Sequence, residues 1–366
     1  MDSTPHLFAL LLAGGKGRRF WPLSREDHPK QLLQLFSQNT LIEETWDRIK
    51  PVVPMNRVLL ATSQTLAMRF KRLFPDLGAH NLIIEPVARN TAPCIAVAAQ
   101  RCLARDPDAI LAVLPSDHYV ADTAAFRDVL AAAANHAANG KIVTLGMTPT
   151  HPETGYGYIR FGDFEPDPGN VECKHRARSI VEFVEKPDPE TAFAYLKTGR
   201  YLWNGGIFVF RADVILRAFK SFLPDVYEQS ARLLTLESVN EPDHEAVVEA
   251  WKAMEPISID YGIMEKLHEG VVVIPSSFGW SDVGSWRALA SFPTGDSENF
   301  EVGRVVAVDS KDNVLYTTHG LLATIGVNNL VVVVTKGAVM VCPTDRTQDV
   351  KDLVNEIEKR NLTEFL

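Results

Sequence analysis

Short apolar runs of strand length alternate with helix-length segments over the first 146 residues of the chain. This alternation is typical of βαβ units in a doubly wound parallel sheet, whose inner strands are buried on both faces. Strands are predicted at residues 7–13, 58–61, 82–85, 110–114 and 142–145.

Two helices between these strands are indicated by their sequence. Thr40 and Glu43 form a capping box at the start of the first helix, because each can bond the backbone N–H of the other. Apolar residues then share one face at helical spacing, namely Ile42, Trp46 and Ile49. The second helix, which is rich in alanine, is predicted from Thr91 towards Arg105.

From about residue 148 the regular alternation gives way to turns rich in proline and glycine. Shorter strands are predicted at residues 156–161, 180–185 and 206–211, helices between 213 and 268, and a further strand at 271–275. This pattern of turns and shorter strands indicates a substrate-facing insertion around the same sheet.

A small β module is predicted after about residue 292, where valine- and leucine-rich strands are separated by brief turns. The predicted strands are 314–317, 321–325, 330–335 and 338–341. A meander and a few coils of a β-helix both fit this spacing. The charged final segment, 345–366, is predicted to be helical.

Composition narrows the class of protein. The chain has 366 residues, 46% of them hydrophobic and 23% charged, as in an ordinary soluble globular protein. A net charge of −9 argues against a broad nucleic-acid surface. The first apolar run is too short to span a bilayer and lacks a preceding basic segment, so we expect a cytoplasmic location and no membrane contact.

The cysteines indicate neither a zinc site nor a disulfide framework. None of them shows paired spacing, and we expect buried free thiols. They are Cys94, Cys102, Cys173 and Cys342.

A glycine-rich turn follows the first predicted strand. Gly14, Gly15 and Gly17 leave backbone N–H groups open to a ligand, and Arg18, Arg19 and Lys30 add charge suited to a polyphosphate. A P-loop is excluded because a glycine follows the Gly-Lys pair, and a dinucleotide fingerprint because Phe20 stands at its third glycine. The alternative is a tight strand exit with solvated cations.

Two aspartates are candidate metal ligands. Asp117 follows the strand predicted at 110–114, where ligands bind in open α/β sheets, and Asp282 lies in the small-residue segment GWSDVGSW. Two carboxylates, a triphosphate and water suffice for Mg²⁺. Asp117 can also be a helix cap, and the two carboxylates can be unrelated.

Candidate sugar-binding residues end two further strands. Glu185 can accept hydrogen bonds from sugar hydroxyls, while Lys186 can meet a phosphate. Asn204 and Gly206, in WNGGIFVF, offer an amide and close backbone approach. A surface charge pair and a β-bulge are the respective alternatives.

A third segment, EPVARNTAP, follows the strand predicted at 82–85. Asn90 and Thr91 can cap the following helix, and Glu85 can accept from guanine N1–H and its amino group, which adenine cannot match. This residue type favours GTP over ATP.

Taken together, several motifs resemble those of the mannose-1-phosphate guanylyltransferases, also called GDP-mannose pyrophosphorylases, among the sugar-nucleotide pyrophosphorylases. The resemblance covers about residues 7–290. RNTAP, SIDYGIMEK and GWSDVGSW are the more particular motifs, whereas the glycine loop and FVEKP are shared with relatives that handle other sugars. The remaining motifs are PKQLL, LPSDH, GYGYI and WNGGIFVF.

The resemblance implies an α/β fold: a Rossmann-like nucleotidyltransferase domain with a mixed, mostly parallel sheet over residues 1–290. A small C-terminal left-handed β-helix module with a terminal helix is implied over 291–366, where it serves packing and dimer contacts. A homodimer is therefore expected. Longer relatives carry an isomerase domain after this point, so a second, isomerase activity is not expected.

The resemblance also assigns roles. The implied catalytic residues are Arg18, Lys30 and Lys186. The implied nucleotide-binding residues are Leu12, Ala13, Gly14, Gly15, Gly17, Glu85, Asn90, Thr91 and Asp117. The implied sugar-binding residues are Gly157, Glu185, Asn204 and Gly206. The implied Mg²⁺ ligands are Asp117 and Asp282.

The implied reaction transfers GMP from GTP to α-D-mannose 1-phosphate and releases pyrophosphate. Positioning and electrostatic stabilisation supply most of the catalysis, because both substrates are anionic. Two alternatives stay open: another sugar-1-phosphate nucleotidyltransferase that uses UTP or dTTP, and a non-catalytic regulatory subunit.

Overall fold

The computed structural model of the chain describes residues 5–15, 17–167, 174–237, 243–292, 295 and 297–366. Cys173 lies outside these residues. The strands are β1 (Leu7–Ala13), β2 (Val58–Ser63), β3 (Leu82–Glu85), β4 (Ile110–Pro115), β5 (Tyr119–Val120), β6 (Ile142–Met147), β7 (Tyr158–Phe164), β8 (Arg178–Val184), β9 (Tyr201–Arg211), β10 (Val271–Ser276), β11 (Trp280–Ser281), β12 (Phe300–Val302), β13 (Val305–Val308), β14 (Val314–Thr317), β15 (Leu322–Ile325), β16 (Leu330–Val334) and β17 (Val339–Pro343).

The helices alternate with these strands in the first half of the chain. They are α1 (Leu41–Ile49), α2 (Gln64–Leu73), α3 (Thr91–Arg105), α4 (Thr123–Ala138), α5 (Pro189–Thr198), α6 (Ala212–Phe222), α7 (Pro224–Glu237), α8 (His244–Ala253), α9 (Ile259–Gly262), α10 (Trp286–Leu289) and α11 (Val350–Lys359). The chain forms two compact units: residues 1–14, 47–115 and 120–280, and residues 15–46, 116–119 and 281–366.

The first unit is built on a nine-stranded sheet within the described residues, in the order β3-β2-β1-β4-β9-β6-β10-β8-β7. Strands β3, β2, β1 and β4 run parallel, and β6 is parallel to β10. Every residue of β1 except Leu12 is buried, as expected for an inner strand with helices on both faces. The predicted α/β fold with a mixed sheet is confirmed.

Strand β9 runs antiparallel to both of its inner neighbours, β4 and β6. The region after residue 147 also adds the antiparallel pairs β7–β8 and β8–β10. The insertion predicted from the loss of alternation therefore joins the sheet itself and makes this part of it antiparallel.

The core of the first unit lies between the sheet and helices α3, α6 and α7. Leu10 of β1, Val113 of β4 and Phe210 of β9 belong to one apolar cluster with Ile95 and Phe219 of the helices, and all five are essentially inaccessible to solvent. Burial of this apolar surface fixes the strand ends that carry the candidate site residues.

The second unit contains a β-helix and not a meander. Strands β12, β14 and β16 pair in parallel, β13 pairs in parallel with β15, and only the last strand, β17, is antiparallel to its neighbour among the described strands. Parallel pairing of every second strand is the pattern of successive coils. Its handedness stays a prediction.

Buried asparagines stabilise the turns between these coils. Asn313 is fully buried; its amide donates to Asn299 Oδ1 and to the Val327 carbonyl, and its Oδ1 accepts from Leu330 N–H, each at 2.9 Å. These bonds satisfy backbone groups that a turn would otherwise leave unpaired.

Strands β14 and β16 also pack against the start of the second unit. Val314 and Val333 share a cluster with Phe20, Trp286 and Leu33. The predicted terminal helix is confirmed as α11, with 3₁₀ turns at Thr344–Asp349 and Thr363–Phe365. Within the described residues, none of the helices has the length and apolarity needed to cross a membrane.

Candidate active site

The glycine loop of the second unit is packed tightly against the segment that carries Lys30. Gly17 has a φ of +60°, and a Cβ there would lie 2.7 Å from both the backbone nitrogen and the Cβ of Lys30. Only glycine fits, on conformational and steric grounds. The Gly17 carbonyl accepts from Ser24 Oγ at 2.7 Å, which fixes the far side of the loop.

Lys30 is the centre of the charged cluster in this unit. Its Nζ lies 3.1 Å from Asp117 Oδ2 and donates to the Asp282 carbonyl at 2.5 Å, and its side chain is only 9% exposed. Residues 30, 117 and 282, far apart in sequence, therefore meet around one nitrogen. The sequence could not relate the two aspartates to each other. In the structure, Asp117 Oδ2 and the Asp282 carbonyl oxygen both contact the same Lys30 amine.

Electrostatics keep Asp117 ionised. Burial alone would raise its pKa, but the positive charge of Lys30, followed by that of His118, outweighs burial and holds the pKa of Asp117 below its ordinary value. An ionised carboxylate whose side chain is 24% exposed remains available to a cation.

Asp282 lies in a strained turn. Its neighbour Val283 has a φ of +48°, which is rare for a β-branched residue, and is fully buried. Asp282 Oδ1 accepts from Gly284 N–H at 3.0 Å, and a Cβ at Gly284 would lie 2.8 Å from Asp282 Oδ2. The glycine is thus needed to leave room for the carboxylate.

Arg18 and Arg19 face the C-terminal helical segment of the second unit. Arg18 pairs with Glu358 Oε1 at 2.8 Å and donates to Asn355 Oδ1 at 3.3 Å. Arg19 is exposed and donates to Gln348 Oε1 at 3.3 Å. The alternative of solvated cations is therefore wrong for Arg18, whose guanidinium has a carboxylate partner.

In the first unit, Glu85 at the end of β3 faces the glycine that follows β1. A Cβ at Gly14 would lie 3.5 Å from Glu85 Oε1, and Thr62 Oγ1 donates to the Ala13 carbonyl at 3.2 Å. Leu12 is half-buried on the same strand. Burial raises the pKa of Glu85 to about 7, against a small opposing contribution from a backbone hydrogen bond at Arg89. This carboxyl group changes charge near neutral pH.

The RNTAP motif connects the start of α3 to the chain after α8. Asn90 Oδ1 accepts from Thr91 N–H at 2.9 Å, which confirms the capping interpretation. Thr91 Oγ1 accepts from Ile259 N–H at 3.0 Å, and Ala92 N–H donates to the Ile257 carbonyl. The Thr91 hydroxyl thus holds the segment that leads into α9.

Glu185 and Gly157 form the centre of the predicted sugar subsite. A Cβ at Gly157 would collide with Glu185 Oε2, and this oxygen is buried without a hydrogen-bond partner among the described residues. Glu185 Oε1 pairs with Lys186 Nζ at 3.2 Å. Burial and then the nearby Asp260 carboxylate raise the pKa of Glu185. A buried oxygen that lacks a donor fits a ligand hydroxyl.

Asn204 lies at an irregularity in the pairing of β6 with β9, as the β-bulge alternative predicts. Its role in sugar binding stays a prediction. Its Oδ1 accepts from Gly206 N–H at 3.1 Å and Thr144 Oγ1 at 3.2 Å, and its Nδ2 donates to Asp260 Oδ1 at 2.9 Å. Gly206 has a φ of +64°. Gly206 therefore orients Asn204 through its backbone.

Two residues with candidate roles were missed by sequence reasoning, although both lie in motifs that it identified. Gln31 of PKQLL is buried beside Gly15, and its Oε1 has no partner among the described residues. Asp260 of SIDYGIMEK bonds Asn204. The signal was the motif itself, but only the fold shows what these side chains contact.

Another acidic cluster lies elsewhere in the first unit. His6, Asp106 and Asp108 bring their ligand atoms within 4.8 Å of one another. His6 pairs with Asp106 at 2.7 Å, and Asp108 pairs with Arg211 at 3.1 Å. The His6–Asp106 hydrogen bond and the Asp108–Arg211 ion pair account for the cluster without a metal. The described cysteines are free: Cys94 and Cys102 are buried and Cys342 is half-buried.

Comparison with known proteins agrees with this architecture. The family model for nucleotidyl transferase matches residues 8–298, and that for the MannoseP isomerase/GMP-like beta-helix domain matches residues 303–357. The chain belongs to the nucleotidyl transferase family, and the predicted enzyme class is confirmed.

The names of similar proteins within the family indicate a more specific activity than the family model does. A mannose-1-phosphate guanylyltransferase of Salmonella typhimurium is 39% identical over 97% of this chain and 73% of its own length. One of Escherichia coli K12 is 38% identical over 96% and 73%. A crystal structure from Thermus thermophilus, named mannose-1-phosphate geranyltransferase, has 38% identity and a TM-score of 0.84 over 96% of this chain and 99% of that one. The resemblance to the mannose-1-phosphate guanylyltransferases is thereby confirmed.

Proposed function

We propose that this enzyme transfers GMP from GTP to α-D-mannose 1-phosphate, forming GDP-mannose and pyrophosphate. The observation that carries the proposal is the cluster around Lys30, where a buried cation meets Asp117 and Asp282 beside the glycine loop. The choice of substrates follows the names of relatives that match over nearly the whole chain.

The phosphate chemistry requires positive charge before anything else. The sugar phosphate oxygen attacks the α-phosphorus of GTP in line as pyrophosphate leaves, and both reactants are anions. Lys30 offers a fixed charge that costs little reorganisation, because Asp117 and Asp282 already orient its amine. Backbone N–H groups of the glycine loop add donors for phosphate oxygens.

Mg²⁺ is the cofactor that the donor set fits. Asp117 is held ionised, and Asp282 lies in a turn that leaves room for its carboxylate; hard oxygen ligands of this kind suit Mg²⁺. Asp117 and Asp282 would hold the ion. When bound, it would neutralise phosphate charge.

The arginines act on the phosphates in this proposal, with Arg18 stabilising the leaving pyrophosphate. To bind phosphate oxygens, Arg18 must break its ion pair with Glu358. The exposed Arg19 must break only a hydrogen bond to the amide oxygen of Gln348. Arg18→Ala and Arg19→Ala should be compared, with Glu358→Gln as the control that frees Arg18 without removing it. Near-normal turnover of Arg18→Ala would refute its catalytic role.

The remaining residues select the substrates. Glu85 would accept from guanine N1–H and the amino group once ionised, with Asn90 and Thr91 supporting that segment. Glu185 would accept sugar hydroxyls on its unpartnered Oε2, and Lys186, which is 56% exposed, would bind the sugar phosphate.

We also propose a homodimer through the β-helix. Val306, Val308 and Ile325 lie on one face of the β13–β15 pair and are 49%, 46% and 74% exposed. Such a face is a candidate for burial against a second copy. Light scattering should report a dimer, and Ile325→Lys should give a monomer. A cytoplasmic location stays a prediction.

A coupled assay of pyrophosphate release tests the function. GTP with mannose 1-phosphate and Mg²⁺ should give turnover that EDTA removes. UTP and dTTP with glucose 1-phosphate are the competing pairs, and faster turnover with either would replace the proposed substrates. Absence of pyrophosphate release with every pair would indicate a regulatory subunit.

A further inference from the structure

Asp260 is a carboxylate of the first unit to which the sequence assigned no role. It is the second residue of the short helix α9 and is partly buried. Its Oδ1 accepts from Asn204 Nδ2 at 2.9 Å. Asn204 is one of the proposed sugar-binding residues, so the position of Asp260 bears on how that amide is held.

The contacts of Asn204 define the orientation of its amide. Its Oδ1 already accepts from Gly206 N–H and from Thr144 Oγ1, and Nδ2 uses one hydrogen on Asp260. A flipped amide would place its NH₂ group against the Gly206 N–H, a donor facing a donor. Among the described residues the second Nδ2 hydrogen has no acceptor, so it is available to a ligand.

That amide converges with Glu185 over the backbone of Gly157. A Cβ at Gly157 would lie 3.6 Å from Asn204 Nδ2 and would collide with Glu185 Oε2. One donor and one unpartnered acceptor thus flank an open glycine. A hydroxyl that donates to Glu185 and accepts from Asn204 would satisfy both groups.

Asp260 also acts on Glu185 through charge. The Asp260 carboxylate raises the pKa of Glu185 after burial, while Lys186 opposes the shift and Glu265 adds to it. Burial raises the pKa of Asp260 itself. Glu265 accepts from Glu185 N–H at 3.2 Å. Within the part of the chain that the structure describes, the charged groups facing Glu185 are therefore Asp260, Lys186 and Glu265.

We propose that Asp260 is a positioning residue for the sugar phosphate, which fixes the Asn204 amide beside Glu185 and the open backbone of Gly157. The proposal rests on the proposed function. Asp260 is itself held in place, because the Thr91 hydroxyl binds the adjacent Ile259 N–H at 3.0 Å.

The alternative is that Asp260 only stabilises the first turn of α9, as acidic residues commonly do. The two possibilities differ in whether substitution of Asp260 changes KM for the sugar phosphate without changing KM for GTP. Loss of a helix-turn contribution would affect stability, whereas loss of Asn204 orientation would raise KM for mannose 1-phosphate and leave KM for GTP unchanged.

The experiment compares Asp260→Ala, Asp260→Asn and the control Glu255→Gln, an exposed acidic residue five positions earlier. We expect Asp260→Ala to raise KM for mannose 1-phosphate at least about tenfold, from one charge-assisted hydrogen bond. Asp260→Asn keeps an acceptor oxygen for Asn204, so its KM should return most of the way to wild type. Glu255→Gln should match wild type in both KM values.

The pH profile separates the charge effect from packing. Asp260→Asn removes a like charge beside Glu185, so the acid limb of kcat/KM for mannose 1-phosphate should move to lower pH. A sugar-phosphate KM within about twofold of wild type in Asp260→Ala, equal increases in both KM values, or an unmoved acid limb in Asp260→Asn would overturn the proposal. Wild-type enzyme that makes no GDP-mannose would instead refute the proposed function.

Discussion

Replacing Lys30 with methionine should destabilise the second unit and abolish turnover together. Lys30 Nζ lies 3.1 Å from Asp117 Oδ2, with the two side chains 9% and 24% exposed. Methionine keeps most of the apolar stem but removes the charge, which lies 5.9 Å from the centroid of the Phe20 ring. Asp117 is then left as a mostly buried carboxylate with its principal counter-charge gone.

The size of the effect follows from this geometry. At 3.1 Å, two unit charges attract by about 5 kcal/mol for an effective dielectric constant of about 20. Removing one partner of a buried pair costs about 3–5 kcal/mol. Because the Asp117 side chain is 24% exposed and partly screened, we expect Lys30→Met to cost about 2–3 kcal/mol.

A double-mutant cycle measures the pair directly. Lys30→Met, Asp117→Asn and the double variant are compared by urea unfolding at pH 7. The double variant should be more stable than the sum of the single changes implies, by about 1–2 kcal/mol, because neither charge is left without its partner. All three should lose turnover by orders of magnitude.

The pH dependence gives the sign of the effect. The pKa of Asp117 is depressed in the folded chain, so its contribution to stability is present above the unfolded pKa and is lost as the pH falls through the folded value. In Lys30→Met, the free energy of unfolding should therefore fall less steeply as the pH is lowered. If the costs of the two single variants simply add within about 0.5 kcal/mol, the pair does not fix the site and the reasoning is wrong.

Other contacts lead to three further predictions. Since burial raises the pKa of Glu85 to about 7, the preference for GTP over ATP should rise about tenfold from pH 6 to pH 8, and Glu85→Gln should remove this dependence in kcat/KM ratios. Gly17→Ala should displace Lys30 and lower turnover at least about tenfold with native circular dichroism retained, because a Cβ would lie 2.7 Å from the Lys30 backbone nitrogen. Asn313→Ala should cost about 2–4 kcal/mol in urea unfolding by leaving buried backbone groups unpaired, while Asn135→Ala, on an exposed helix surface, should change stability little.

Much of the first unit could be predicted because its strands are short, apolar and separated by helices. Strands β1 and β3 and helix α3 have the predicted bounds, and the capping box forms as expected, with Thr40 N–H donating to Glu43 at 2.8 Å. Local periodicity carries this information. Strand order does not follow from it, so the position of β9 between β4 and β6 was not predictable.

The β-helix shows the same limit. Strands β14 to β17 lie within two residues of their predicted bounds, whereas β12 and β13 were not predicted. Parallel pairing depends on contacts between residues such as Val314 and Val331, 17 positions apart. The asparagines at the turns fitted both alternatives. Only the hydrogen bonds between Asn299 and Asn313 show why these residues stabilise coils and not hairpins.

For the candidate site, residue type predicted candidate chemistry but not partners. Lys30 was assigned to phosphates, and the structure adds that the Asp117 carboxylate and the backbone carbonyl of Asp282 hold its amine. Arg18 received the same assignment, yet its guanidinium pairs with Glu358, a contact across 340 residues of sequence that no local pattern reveals. Charge complementarity in the folded chain decides which cations are preorganised and which must change partners.

The RNTAP motif shows why a structural and a functional interpretation of one segment need not compete. Asn90 caps α3, and Thr91 holds Ile259, which precedes Asp260 and through it orients Asn204. The motif that was first linked to the guanine base therefore supports the proposed sugar subsite through two hydrogen bonds and one intervening peptide. A substitution at Thr91 should accordingly raise KM for the sugar phosphate as well as lower stability. Loss of the bond to Ile259 N–H would let Asp260 move, and Asp260 holds the Asn204 amide.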